Sequence, residues 1–149
     1  MLACQKEQTE KEQKHWNKFY SRKQSRKPST FARFINKKFL KKNLGEKKLI
    51  DIGCGSGRDS FFFAKKIYSV TSLDKSNVII KNNNYFAKEN NFVNVNFIRS
   101  DVNKKNILNK KKYDYIYLRF FMHTIDYFTQ KKLFKLLNRI SKKNSSLLM

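Results

Sequence analysis

The chain has 149 residues, which suits one domain, and 42 of them are Leu, Ile, Val or Phe, enough to build a core. No apolar run approaches the roughly 18 residues that a membrane span needs, and two cysteines, Cys4 and Cys54, cannot form a disulfide framework. The net charge of +23 points first to nucleic acid, but 27 of the 34 basic residues are Lys, and base-edge readers favour the bidentate fork of Arg.

The charge is also uneven. Residues 1–48 carry +11, residues 49–101 only +2 and residues 102–149 +10, beside 16 Asn and 11 Ile. Such a Lys/Asn/Ile-rich profile is what an AT-rich coding sequence produces, so a solvated basic surface is expected on the flanks. The near-neutral middle is where chemistry is expected. Met1-Leu2-Ala3-Cys4 has no apolar h-region before it, so no signal peptide is expected, and the two cysteines suit a reducing, cytoplasmic compartment.

Along the chain, residues 1–14 are polar and read as a tail or a helix start. Trp16, Phe19 and Tyr20, then Phe31, Phe34, Ile35 and Leu40, predict two amphipathic helices broken near Pro28, with Ser29 or Thr30 as N-cap and Gly45 as the stop. The aromatic stripe at Trp16 is either a hydrophobic seam or a lid. Lys48 to Ile52 predicts a strand running into Gly53-Cys54-Gly55-Ser56-Gly57, followed by a helix from Arg58 to Lys66. A second strand runs from Ile67 to Leu73 and is closed by Asp74. Ser76 caps a helix to about Asn90 with Val78, Ile79, Tyr85 and Phe86 inward. Val93 to Ile98 alternates as a third strand ending near Asp101, and Tyr113 to Leu118 is a fourth. A helix from Thr129 to Lys143 places Leu133, Phe134, Leu136, Leu137 and Ile140 inside, and Ser145 to Met149 opens a fifth strand. Strands alternating with helices predict a doubly wound, mostly parallel α/β sheet. One domain over 48–149 is expected, behind a basic helical extension over 1–47.

Three of the four glycines stand at 53, 55 and 57, directly between a strand and a helix. Glycine there removes Cβ atoms where backbone must approach a ligand, and the helix start offers free N–H groups. Arg58 stands where the dinucleotide fingerprint wants Gly or Ala, and no Gly-Lys-Ser/Thr follows for a P-loop. Asp51, two residues ahead of the first glycine, would repel a pyrophosphate and welcome an ammonium or sulfonium. Asp51, Asp74 and Asp101 all fall at carboxyl ends of predicted strands, where open α/β sheets bind ligands. Asp74 stands where a carboxylate accepts from both ribose hydroxyls, and Asp101 can reach an adenine amino group. Singly, each is also an ordinary turn or cap residue.

Leu49-Ile50-Asp51-Ile52-Gly53-Cys54-Gly55-Ser56-Gly57 resembles the first motif of class I S-adenosylmethionine-dependent methyltransferases. Ser72-Leu73-Asp74 resembles their acidic second motif, Phe97-Ile98-Arg99-Ser100-Asp101-Val102 the third, and Tyr113-Asp114-Tyr115-Ile116 the start of the fourth. The resemblance covers residues 48 to about 141. It implies a Rossmann-like fold with S-adenosylmethionine as cofactor. Gly53, Cys54, Gly55 and Gly57 would lie beneath its methionine part and Asp51 near its amino group. Asp74 would hold the ribose, and Asp101 with Val102 would frame the adenine. A weaker resemblance, in Gly57-Arg58-Asp59-Ser60 and Arg119-Phe120-Phe121-Met122-His123, is to small bacterial enzymes of saccharide or surface-polymer neighbourhoods.

Leu118-Arg119-Phe120-Phe121 replaces the Asn/Asp-Pro-Pro-aromatic signature of amino-methylating nucleic-acid enzymes, which argues against base N-methylation. The expected acceptor is therefore a small molecule or a saccharide hydroxyl. A basic nucleic-acid-binding module, or an RNA methyltransferase on the same fold, is the alternative. His123 is the candidate general base and Arg119 the candidate for orienting an anionic acceptor; His123 packing beside Phe120 and Phe121 competes with that role. Cys54 reads as a packing residue of the turn. No His/Cys cluster has metal-ligand spacing, so no metal is expected. Seven strands complete this class, so the last strands are expected to be missing, from a truncated product or one with a separately encoded C-terminal half.

Overall fold

The computed structural model describes residues 11, 14–15, 18, 25–39, 46–66, 68–103, 108 and 111–149. Trp16, Phe19, Tyr20, Leu40 and Gly45, on which the lid and the end of the second N-terminal helix were expected, lie outside the described residues.

Among the described residues five strands form one parallel sheet: β1 (Lys48–Ile52), β2 (Ser69–Asp74), β3 (Val95–Arg99), β4 (Tyr113–Tyr117) and β5 (Ser141–Leu148), in the order β3-β2-β1-β4-β5. The strand order reverses between β1 and β4, which makes the carboxyl end of β1 the switch point at which such sheets open a crevice. Among the described residues the helices of stated bounds are α1 (Thr30–Lys38), α2 (Arg58–Ala64), α3 (Asn77–Glu89) and α4 (Tyr127–Ile140), with a 3-10 turn at Met122–Thr124. This is the doubly wound architecture expected from the sequence. Among the described residues no helix is long and apolar enough to cross a membrane.

The two-residue period of β1 sorts its side chains. Leu49 packs with Ala32 and Ile35 of α1, Phe63 and Ala64 of α2, and Tyr115 and Tyr117 of β4. Ile50 and Ile52 pack on the opposite face with Leu133, Leu136, Leu137 and Ile140 of α4. Asp51 shares the face of Leu49, so alternation alone turns a carboxylate into the layer between the sheet and α2. The caps follow the sequence: Ser29 Oγ accepts from the Ala32 N–H at α1, and Ser76 Oγ from the Ile79 N–H at α3.

Several inward positions differ from expectation. Tyr85 and Phe134 are exposed and Val93 is 96% exposed, while the buried stripe of α3 is Ile79, Ile80, Asn83 and Ala87. The helix period places Tyr85 on the solvent side of that stripe, and Val93 precedes β3 in the loop. α4 begins at Tyr127, capped by Asp126, and stops at Ile140 instead of Lys143. The chain passes straight into β5 at Ser141, where Ser141 Oγ donates to the Leu137 carbonyl at 2.6 Å. A register shift between Tyr113 and Tyr115 absorbs the extra β5 residues, so the lysines of β5 enter a strand without alternating apolar partners.

Candidate functional site

The glycine turn is built at the carboxyl end of β1. Gly53, Gly55 and Gly57 all adopt left-handed φ, at 76°, 50° and 71°. At two of them close packing adds a second demand. A Cβ on Gly53 would overlap the Phe121 ring, and one on Gly57 would lie 2.9 Å from the Phe97 ring. The turn is hooked to β2 by the N–H groups of Gly53 and Cys54, which donate to the Leu73 carbonyl at 2.9 and 3.0 Å.

Two carboxylates meet at this turn. Asp51 is 3% exposed, and the hydroxyl of Ser60 on α2 donates to its Oδ2 at 2.6 Å. Burial pushes the Asp51 carboxyl up to about 7, with the charges of Asp59 and Asp74 adding to the rise and Arg119 opposing it. Asp74 closes β2: its Oδ2 accepts from the Gly55 N–H and its Oδ1 from the Ser76 N–H, each at 2.9 Å. Burial raises the Asp74 carboxyl, and these backbone donors hold the rise back.

A carboxylate has about four lone-pair positions, so Asp74 and Asp51 each keep acceptor capacity beyond the donors they already hold. A glycine turn that is open at Gly55 and flanked by these two groups can seat a ligand that combines vicinal hydroxyls with an ammonium or sulfonium. The geometry therefore fits an adenosyl-methionine moiety and disfavours a pyrophosphate.

The other residues expected at the site fall around this centre. Asp101 follows β3, accepts from the Asn103 N–H at 2.9 Å and faces Lys75 Nζ at 3.6 Å. The Ser100 N–H bonds to the Asp74 carbonyl, which joins the ends of β2 and β3. Val102 is half-buried among the residues packed under α4. Cys54 packs against the cluster of Phe61 and Phe97, and burial raises its thiol well above the ordinary value, as suits a packing residue. Beyond β4, the Phe121 side chain reaches back over Gly53. Arg119 stacks on the exposed Phe120 ring at 4.2 Å, and Phe120 is held in left-handed backbone at φ 54°. His123 is exposed on the 3-10 turn, and its ring meets Phe120 edge-on at 6.0 Å.

Two groups were missed from sequence. Asp59 is buried and accepts from the Ser29 N–H at 2.7 Å, Ser29 Oγ at 2.8 Å and the Tyr117 hydroxyl at 2.8 Å, which ties α1, α2 and β4 together. Burial and the Asp59 charge push the Tyr117 phenol upward, so it stays a donor. Asn83 is fully buried and donates to the Gly55 carbonyl at 2.9 Å. The adjacent Gly57-Arg58-Asp59-Ser60 stretch was a signal for Asp59; Asn83, inside Asn82-Asn83-Asn84, gave none.

A sequence model described as a methyltransferase domain matches residues 43–149, most of the chain. The chain belongs to this methyltransferase-domain family. Its fold is the class I Rossmann-like fold of S-adenosylmethionine-dependent methyltransferases, and the solved structures that match it number 421 chains. Among them, the PH0226 protein of Pyrococcus horikoshii OT3 is 25% identical over 79% of this chain and 53% of its own, with a TM-score of 0.66. A putative S-adenosyl-L-methionine-dependent methyltransferase of Methanococcus maripaludis is 24% identical, over 78% of this chain and 51% of its own, with a TM-score of 0.65. PKMT2 of Rickettsia typhi in complex with AdoHcy is 22% identical, over 68% and 20%, with a TM-score of 0.63. The methyltransferase domain here thus spans about half or less of the length of these structures. No curated protein sequence matches the chain.

Proposed function

We propose that this methyltransferase domain binds S-adenosylmethionine across the carboxyl ends of β1, β2 and β3 and transfers its methyl group to a small-molecule or saccharide acceptor in the cytoplasm. Residues 1–47 form an extension on the cofactor-binding domain of residues 48–149 in this reading. The observation that carries it is the meeting of a left-handed glycine turn with two carboxylates that have unused acceptor capacity, Asp51 and Asp74.

When bound, the cofactor supplies an electrophilic methyl carbon on a sulfonium. The chain's own residues supply orientation, which is the main protein contribution to an in-line displacement. Gly53, Cys54, Gly55 and Gly57 offer backbone to the methionine part. Asp51 receives its ammonium, Asp74 accepts from the ribose hydroxyls, and Asp101 with Val102 frames the adenine. Arg119 orients an anionic acceptor, and His123 takes the proton from an acceptor hydroxyl as the new bond forms.

The test is transfer of labelled methyl from S-adenosylmethionine into fractionated cell extract by the purified chain. Label in the small-molecule or saccharide fraction, lost in Asp74→Ala, supports the reading. Label confined to RNA, or none in any fraction, overturns it.

A further inference from the structure

Residues 26–29 lie against the start of α2 and are fastened there at two points. At one the Ser29 N–H and hydroxyl donate to Asp59 at 2.7 and 2.8 Å. At the other the Arg26 guanidinium lies over the rings of Phe61 and Phe86, 5.1 and 4.3 Å from their centroids. From there it donates to the Ser56 carbonyl at 2.5 Å and to Asn83 Oδ1 at 2.9 Å. Asn83 in turn donates its Nδ2 to the Gly55 carbonyl at 2.9 Å. Two consecutive carbonyls of the glycine turn are therefore held from outside, one directly by Arg26 and one through Asn83.

The C=O and N–H of one peptide unit point in opposite directions. Holding the Gly55 carbonyl thus fixes the direction of the Ser56 N–H, and holding the Ser56 carbonyl fixes that of the Gly57 N–H, which bonds to the Cys54 carbonyl at 3.0 Å. Glycine offers almost no resistance to peptide rotation, so a turn with three of them takes its orientation from such external bonds. A guanidinium suits the task because its Nη1 reaches both acceptors while its delocalised charge lies over the two rings, whereas an ammonium is a compact, more strongly hydrated charge.

We propose that Arg26 is a positioning residue that sets the backbone of the glycine turn from the N-terminal segment, orienting the groups with which the turn meets its cofactor. This rests on the reading of the turn as the cofactor cradle. It also makes docking of residues 26–29 a condition of tight cofactor binding, although Arg26 lies well ahead of the family's sequence motifs.

The experiment compares the full chain with Arg26→Ala and Arg26→Lys by amide hydrogen exchange without ligand and by calorimetric titration with S-adenosylhomocysteine. In Arg26→Ala the Gly57 amide, which bonds to the Cys54 carbonyl, exchanges at least tenfold faster, while the Leu49 and Ile50 amides of β1 stay within twofold. The Kd for S-adenosylhomocysteine rises at least tenfold, and Arg26→Lys lies nearer to Arg26→Ala than to the parent. An unchanged Gly57 amide, an equal acceleration of all amides, or a parent-like Arg26→Lys overturns the proposal. If the parent chain fails to bind S-adenosylhomocysteine, the cofactor reading falls, and the exchange rates alone decide whether Arg26 holds the turn.

Discussion

Asp51→Asn isolates the cost of keeping a carboxylate in the layer between the sheet and α2. The Asn side chain keeps an oxygen for the Ser60 hydroxyl and removes the titration. In the folded chain Asp51 sits at about 7 against an ordinary 3.8, because burial penalises its charged form. A group raised in this way contributes stability that is fully present below about pH 4 and is lost as pH rises through about 7. Between pH 5 and pH 8, linkage with these two values gives a loss of about 2–3 kcal/mol. For a domain of this size that corresponds to roughly 5–10 °C in Tm. Urea unfolding of both forms at pH 5 and pH 8 measures it, since the other titrating groups cancel in the difference. Asp51→Asn is expected to gain about 2–3 kcal/mol on the parent chain as pH rises. Parallel pH profiles for the two forms would refute the reasoning, since they would mean that Asp51 ionises in the folded chain as it does unfolded.

The same carboxylate gives affinity a pH dependence. If the ligand's ammonium pairs with ionised Asp51, S-adenosylhomocysteine binds about tenfold more weakly at pH 6 than at pH 8, and Asp51→Asn removes the difference; calorimetric titration checks it. Gly57→Ala forces an L residue into left-handed backbone with its Cβ 2.9 Å from the Phe97 ring, so a stability loss of about 2–4 kcal/mol is expected in urea unfolding. Tyr117→Phe removes one of three donors to buried Asp59 and is expected to lower stability by about 1–3 kcal/mol. Asp59→Ala, which strands the Ser29 and Tyr117 donors, should cost more than Tyr117→Phe in the same assay.

Most of the sheet was readable because short apolar runs end at Gly or Asp. β1 matches its expected limits of Lys48 and Ile52, and β4 ends one residue short of Leu118. The glycine turn and its flanking carboxylates were readable for the same reason, since residue type and spacing act locally. What escaped was non-local or compositionally masked. The partners of Asp59 lie 30 and 58 residues away in Ser29 and Tyr117, and only the fold brings them together. Asn83 looks like one more Asn of a biased sequence until its place under Gly55 and Arg26 is visible. Aromatic rings at Tyr85 and Phe134 suggested burial by their size, whereas the helix period turns them to solvent. β5 starts in Ser141-Lys142-Lys143-Asn144, which has no apolar alternation, and the strand exists there because α4 delivers the chain beside β4.

The central claim is that the glycine turn, Asp51 and Asp74 hold an adenosyl-methionine cofactor. The most direct measurement is calorimetric titration of S-adenosylmethionine and S-adenosylhomocysteine into the parent chain and into Asp74→Ala, at pH 8 where Asp51 is ionised. Saturable one-to-one binding of both ligands by the parent, weakened at least tenfold in Asp74→Ala, is the predicted result. No binding by the folded parent, or equal binding by Asp74→Ala, would contradict the claim.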